Sequence, residues 1–155
     1  MTEITHMTRK ERTAGDAAVD GLCSGVLAGI GMAVYLLAAG LLGGEAPALL
    51  LGRFDPGQAA SPMNGLLAHL AVSGVYGLLF GLAWRLGSRW RQPPAWLAGL
   101  AYGVALLLVA ESFTLRISGM SSPLLGIPLV HFAISHLIYG LVLGVLVNRQ
   151  RAVEI

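Results

Sequence analysis

Charge is the scarcest resource in this sequence. Only 12% of its 155 residues are Asp, Glu, Lys or Arg, while 55% are hydrophobic. That is about half the charged share of an ordinary soluble domain, and the few charges are gathered in short stretches. Cysteine is nearly absent: Cys23 stands alone, which rules out an intramolecular disulfide and a dithiol motif. Catalytic signatures are missing too. There is no Gly-x-Ser-x-Gly, no His-Glu-x-x-His, no phosphate-binding loop and no dinucleotide fingerprint. No basic patch fit for nucleic acid is visible, so the net charge of +2 is read as a matter of membrane orientation.

What the chain has instead is long apolar runs. Gly21 to Leu42 and Met63 to Trp84 carry no charge, and neither does Leu124 to Asn148. Ala95 to Ile117 is interrupted only by Glu111 and Arg116. Each run reaches the roughly 20 residues that cross a hydrocarbon core about 30 Å thick. A spanning segment must satisfy its own backbone hydrogen bonds, so helices are expected. The predicted fold is all-α: an integral membrane four-helix bundle with spans about 17–42, 63–84, 94–117 and 124–148. A polar tail, 1–16, precedes it, and a short tail, 149–155, follows. Thr13 to Asp16 offers a start for the first helix, with Asp16 and Asp20 near its positive end. The first apolar run begins too late and runs too long for a secretory signal.

Lys and Arg placement sets the expected orientation. Arg9, Lys10 and Arg12 lie before span one, Arg85, Arg89 and Arg91 between spans two and three, and Arg149 and Arg151 after span four. The long link 43–61 holds only Arg53, set against Glu45 and Asp55. The positive-inside rule then puts both termini in the cytoplasm of a prokaryotic inner membrane. Trp84, Trp90 and Trp96 bracket the cytoplasmic link as an aromatic belt. Within the outer link, Ala46 to Leu51 is expected to lie at the interface, followed by a turn at GRFDPG.

Small residues recur every fourth position: Gly21, Gly25 and Gly29; Ser73, Gly77 and Gly81; Ala95, Gly99 and Gly103; Gly140 and Gly144. This spacing lays a small-residue stripe along each helix and lets backbones approach closely. The spacing is embedded in a longer likeness. Residues 61–81, SPMNGLLAHLAVSGVYGLLFG, echo residues 122–144, SPLLGIPLVHFAISHLIYGLVLG. Both open on Ser-Pro, with Ser61 and Ser122 read as helix caps, and both close on Tyr-Gly-x-x-x-Gly. Two like-oriented hairpins, a parallel repeat, are predicted.

The likeness aligns His69 with His131, each followed four residues later by a serine, and it aligns His136 with Gly74. Facing histidines in a membrane bundle are suited to haem b, so His69 and His131 form a candidate cofactor site. Glu111 lies on the order of 10 Å inside span three and His69 at about the same depth at 1.5 Å per residue. A buried carboxylate is costly and seeks a partner, so Glu111, His136 and Tyr139 form a candidate proton or ion set. Arg116 is close enough to the surface to snorkel. No catalytic or metal-ligating residue is assigned.

The segment His136-x-x-Tyr139-Gly140-x-x-x-Gly144 resembles the YagU-like small bacterial inner-membrane proteins. The resemblance covers about ten residues and the four-span character, and it implies no biochemical activity. The leading functional expectation is a non-catalytic accessory subunit of a larger membrane complex, respiratory or photosynthetic. It would contact lipid all round and partner subunits through the glycine faces and the N-terminal tail. A bis-histidine haem b electron-transfer protein and a small proton-coupled transporter or channel are the alternatives.

Overall fold

A computed structural model describes residues 13–57, 59–87, 93–117 and 126–152, with side chains to 112 in the third stretch and to 149 in the last. The expectations placed on residues 1–12, on Arg89, Trp90 and Arg91, on Ser122 and on the Arg116 and Arg151 side chains lie outside them. The described chain is helical: α1 (Ala14–Leu42), α2 (Pro47–Gly52), α3 (Pro62–Leu86), α4 (Ala95–Ile117) and α5 (Leu129–Ala152). Among the described residues, α1, α3, α4 and α5 are long and apolar enough to cross a membrane, with mean hydropathies of 2.1, 1.8, 1.6 and 2.0. They point to a multi-pass helical membrane protein in contact with lipid.

Local chemistry places the helix starts. Thr13 caps α1, where its hydroxyl accepts from the Asp16 amide (3.1 Å) and the Asp16 carboxylate accepts from the Thr13 amide (2.8 Å). This reciprocal box is worth about 1 kcal/mol and draws Ala14 to Asp16, assigned above to the tail, into the helix. Gly44 ends α1 in the left-handed region (φ +80°), which a residue with a side chain rarely enters. Ser61 caps α3 ahead of Pro62, as predicted. In α5, the carbonyl of Pro128 receives the amides of His131 (3.0 Å) and Phe132 (3.1 Å), and the helix begins at Leu129.

Packing follows the glycine stripes, and the stripes face inward. A methyl group on Gly25 would strike the Ser73 carbonyl and Gly77; one on Gly77 would strike the Gly21 carbonyl and Gly25. Gly99 meets the Gly140 carbonyl and Gly144 in the same way, and Gly103 meets the His136 carbonyl and Gly140. Two antiparallel seams result, α1 on α3 and α4 on α5. In these seams the Ser73 and His136 carbonyls take equivalent places, so His136 matches Ser73, one position off the Gly74 of the sequence alignment. The glycine faces assigned above to partner subunits are filled from within the chain.

The two seams join through α1 and α5, giving the order α3–α1–α5–α4, with α5 the most covered span and α4 the least. Ala28, Met32 and Leu36 of α1 pack there with Tyr139, Leu143 and Val147 of α5 and with Phe80 of α3. Between α3 and α4, aromatic side chains fill the gap. The Tyr102 ring lies 5.2 Å from Phe80, which stacks on Trp84 at 6.0 Å.

The link between α1 and α3 packs against both helices through a few of its residues. Leu50 of α2 is buried against Gly40, and the backbone from Leu51 to Asp55 rests on Gly65 at the start of α3. Asp55 is buried as well, and its two carboxylate oxygens accept from the amides of Gly57 (2.9 Å) and Ser61 (2.8 Å). A buried carboxylate needs such donors. Arg53 pairs with Glu45 at 3.0 Å, and its guanidinium borders Gly126.

The seams generate a test by contrast. Gly77→Ala puts a methyl against backbone atoms that cannot give way, whereas Gly31→Ala meets only Ile138 and Val142 methyls at 3.8–4.0 Å. Gly77→Ala is expected to lower stability by about 1–3 kcal/mol, and Gly31→Ala by less than about 0.5 kcal/mol. Unfolding in mixed micelles by titrated dodecyl sulfate measures both, and equal stability for the two variants would refute the seam.

Candidate functional site

The histidines of the spans and Glu111 lie in the half of the bundle nearest α2. His69 and His136 each lie about 10 Å, at 1.5 Å per residue, from the first residue of their helix. Their neighbourhoods are built alike. His69 Nε2 is 3.0 Å from the Gly29 carbonyl, and its ring is 5.0 Å from that of Phe54. His136 Nδ1 is 2.8 Å from the Phe132 carbonyl, one turn back on its own helix, with the two rings 4.5 Å apart.

A carbonyl oxygen can only accept, so each of these ring nitrogens donates. The backbone therefore selects the tautomer of each neutral imidazole: Nε2–H for His69 and Nδ1–H for His136. The nitrogens left with a lone pair are Nδ1 of His69 and Nε2 of His136.

Tyr139, also expected at the site, is buried and ties the two helices together. Its hydroxyl donates to the Ser73 carbonyl at 2.7 Å, and Ser73 sits one turn beyond His69. Glu111 is half-buried on α4. Of the predicted set of Glu111, His136 and Tyr139, the last two lie three residues apart on α5, and Tyr139 reaches the α3 carbonyl one turn beyond His69.

His131 is placed elsewhere. Its Nδ1 lies 3.0 Å from the Tyr35 hydroxyl at the contact of α5 with α1. Gly29 and Tyr35, the α1 partners of His69 and His131, are about 120° apart around that helix at 100° per residue. The two imidazoles thus approach α1 from different faces, and the usual ligating nitrogen of His69 is already engaged. As they stand, these residues do not fit a bis-imidazole haem site.

Two further tyrosines escaped the sequence reading. Tyr102 of α4 donates to the Tyr76 carbonyl of α3 at 2.9 Å, and Tyr35 meets His131 as described. Their signal was available: an isolated hydroxyl inside a charge-free span must find an acceptor, because an unmet polar group in lipid costs several kcal/mol. The identity of the acceptor was not available, since carbonyls look alike in sequence. Ser135 and Ser112 return their hydroxyls to Phe132 and Leu108 of their own helices at 2.7 Å.

Tyr139→Phe removes one interhelical bond and leaves the ring in place. Such bonds in membrane bundles are worth about 0.6 kcal/mol on average and at most about 1.7, so the variant is expected to lose stability within that range while remaining folded. The same micelle titration checks it, and Tyr139→Phe matching the unsubstituted protein would show that the bond contributes nothing. Comparison with protein-family models, with curated proteins and with solved structures found no match to this chain.

Proposed function

We propose that this chain is a non-catalytic accessory subunit of a larger membrane complex. The observation that supports this reading is the fate of the interior polar groups. His69, Tyr102 and Tyr139 each direct a polar atom to a backbone carbonyl of a neighbouring helix, and Ser135 and His136 to one of their own helix. Side chains used in the first way fasten helices and define their register. The two glycine seams add to the same rigidity, and they support a bundle made of two like-built hairpins.

Partner subunits would then meet the aliphatic outer faces. Leu97, Val104, Leu108 and Val109 lie exposed on α4, the least covered span. The YagU-like resemblance at 136–144 falls on seam residues, which agrees with a structural role and suggests a bacterial inner membrane. The distribution of Lys and Arg favours cytoplasmic termini and puts the α2 link outside.

Two measurements test the proposal. Native mass spectrometry of the full chain, released from its own membrane in mild detergent, is expected to find it in a hetero-oligomer of fixed stoichiometry. Recovery solely as a monomer or as copies of itself would overturn the subunit reading. For orientation, a cysteine at Gly57, in a chain with Cys23 replaced by Ala, should react with a membrane-impermeant maleimide in intact cells. Reaction only after the inner face is opened would reverse the topology.

A further inference from the structure

The seams and the contact between them are made of different material. Within a seam, backbone lies on backbone, as where a methyl on Gly77 would strike the Gly21 carbonyl and Gly25. Between the seams, side chains do the joining. A methyl on Gly31, on the side of α1 that faces α5, would meet only Ile138 and Val142 methyls at 3.8–4.0 Å. Side chains can change rotamer where backbone cannot yield, so the α1–α3 and α4–α5 pairs are firm units that meet at a softer surface.

The link between α1 and α3 belongs to the first pair and touches the second. Its base is fixed: Leu50 is buried against Gly40, the backbone from Leu51 to Asp55 rests on Gly65, and Asp55 holds the Gly57 and Ser61 amides. Phe54 packs against the core cluster that α1, α3 and α5 share, with its ring 5.0 Å from that of His69. Arg53 reaches farther, to Gly126 ahead of α5. A methyl on Gly126 would lie 2.9 Å from Cζ and Nη2 of Arg53 and 3.3 Å from Nε, so the guanidinium rests on that glycine. Glu45, at the other end of the link, steadies it through the ion pair at 3.0 Å.

We propose that this link is a strap across the α2 end of the bundle and that Arg53 is its releasable latch onto the α4–α5 pair. Seated on Gly126, the latch holds the two pairs together at that end; unseated, it lets them part as units. Release is easy by construction. The moving part is the tip of one flexible side chain, and its seat exists because residue 126 has no side chain. The Arg53 and Glu45 side chains are 21% and 35% exposed, and an ion pair that water reaches is weak and screened by salt. Met32 and Leu36 of α1 stay packed with Tyr139 and Leu143 of α5 and act as the hinge.

The strap does not depend on the subunit reading, and its test is separate. The full chain with Cys23→Ala, reconstituted in lipid nanodiscs, carries spin labels at Met63→Cys and Leu129→Cys, exposed positions at the starts of α3 and α5. Pulsed electron–electron double resonance reads the distance between them, and one narrow distribution is expected while the latch is intact. Arg53→Ala should broaden it and add a component longer by more than about 2 Å. Gly126→Ala should do the same, because its methyl meets only the mobile end of a side chain. The double substitution should go no further than Arg53→Ala alone. Labels within the first pair, at Val34→Cys and Leu67→Cys, should keep their distance throughout.

An unchanged Met63–Leu129 distribution in Arg53→Ala would overturn the proposal. So would equal broadening between Val34 and Leu67, since Arg53 would then support the first pair alone. If Arg53→Ala does not fold, the distributions in Gly126→Ala decide the matter.

Discussion

Backbone lies directly on backbone where Gly25 meets Gly77 and where Gly103 meets Gly140, and the other contacts in the bundle are set by that approach. In lipid the hydrophobic effect does not drive helices together, because the surrounding chains are as apolar as leucine. Association must come from dispersion contacts between closely fitted surfaces and from polar groups that reach across. Glycine allows both: it shortens the distance between axes, and it exposes carbonyls of one helix to the other. Without the seams, α3 would stand too far from α1 for His69 to reach the Gly29 carbonyl.

Close approach also governs what the polar side chains can do. A helix carbonyl is already an acceptor in its own ladder, and its second lone pair is open only where a neighbouring side chain can come near. Tyr139, His69 and Tyr102 use such lone pairs on α3, α1 and α3 in turn. These bonds are individually small, but each also avoids the larger cost of an unmet donor in hydrocarbon. The His69 bond also fixes the tautomer of its ring. The link over the α2 end follows the same rule. Asp55 satisfies two loop amides, and Leu50 fills the space left by Gly40.

Much of the architecture was legible in the sequence. Four charge-poor runs of spanning length, the cap at Ser61 and the glycine spacing all appear in the structure as read. Less of the site was legible. Histidine pairing was inferred from a repeated motif, whereas the structure gives His69 and His131 separate partners, the Gly29 carbonyl and the Tyr35 hydroxyl. Residues 61–81 and 122–144 align in two registers, because the second carries extra residues between Ser-Pro and Tyr-Gly. The histidines follow one register and the glycine seams another. Only packing distinguishes the two, since a seam tolerates no side chain at its contact points.

The sequence by itself determined that this chain is helical, membrane-spanning and built around small-residue stripes. Those properties depend on composition and local spacing, and they hold for each segment alone. Tertiary structure decided that the stripes serve the chain's own seams, that His69 and His131 meet different faces of α1, and that Leu50 of α2 packs against Gly40. Those outcomes depend on which helix faces meet. In a bundle with apolar residues on every side, the hydrophobic pattern does not mark the inner face. Backbone contact at glycine and the reach of a few side chains to carbonyls decide it instead.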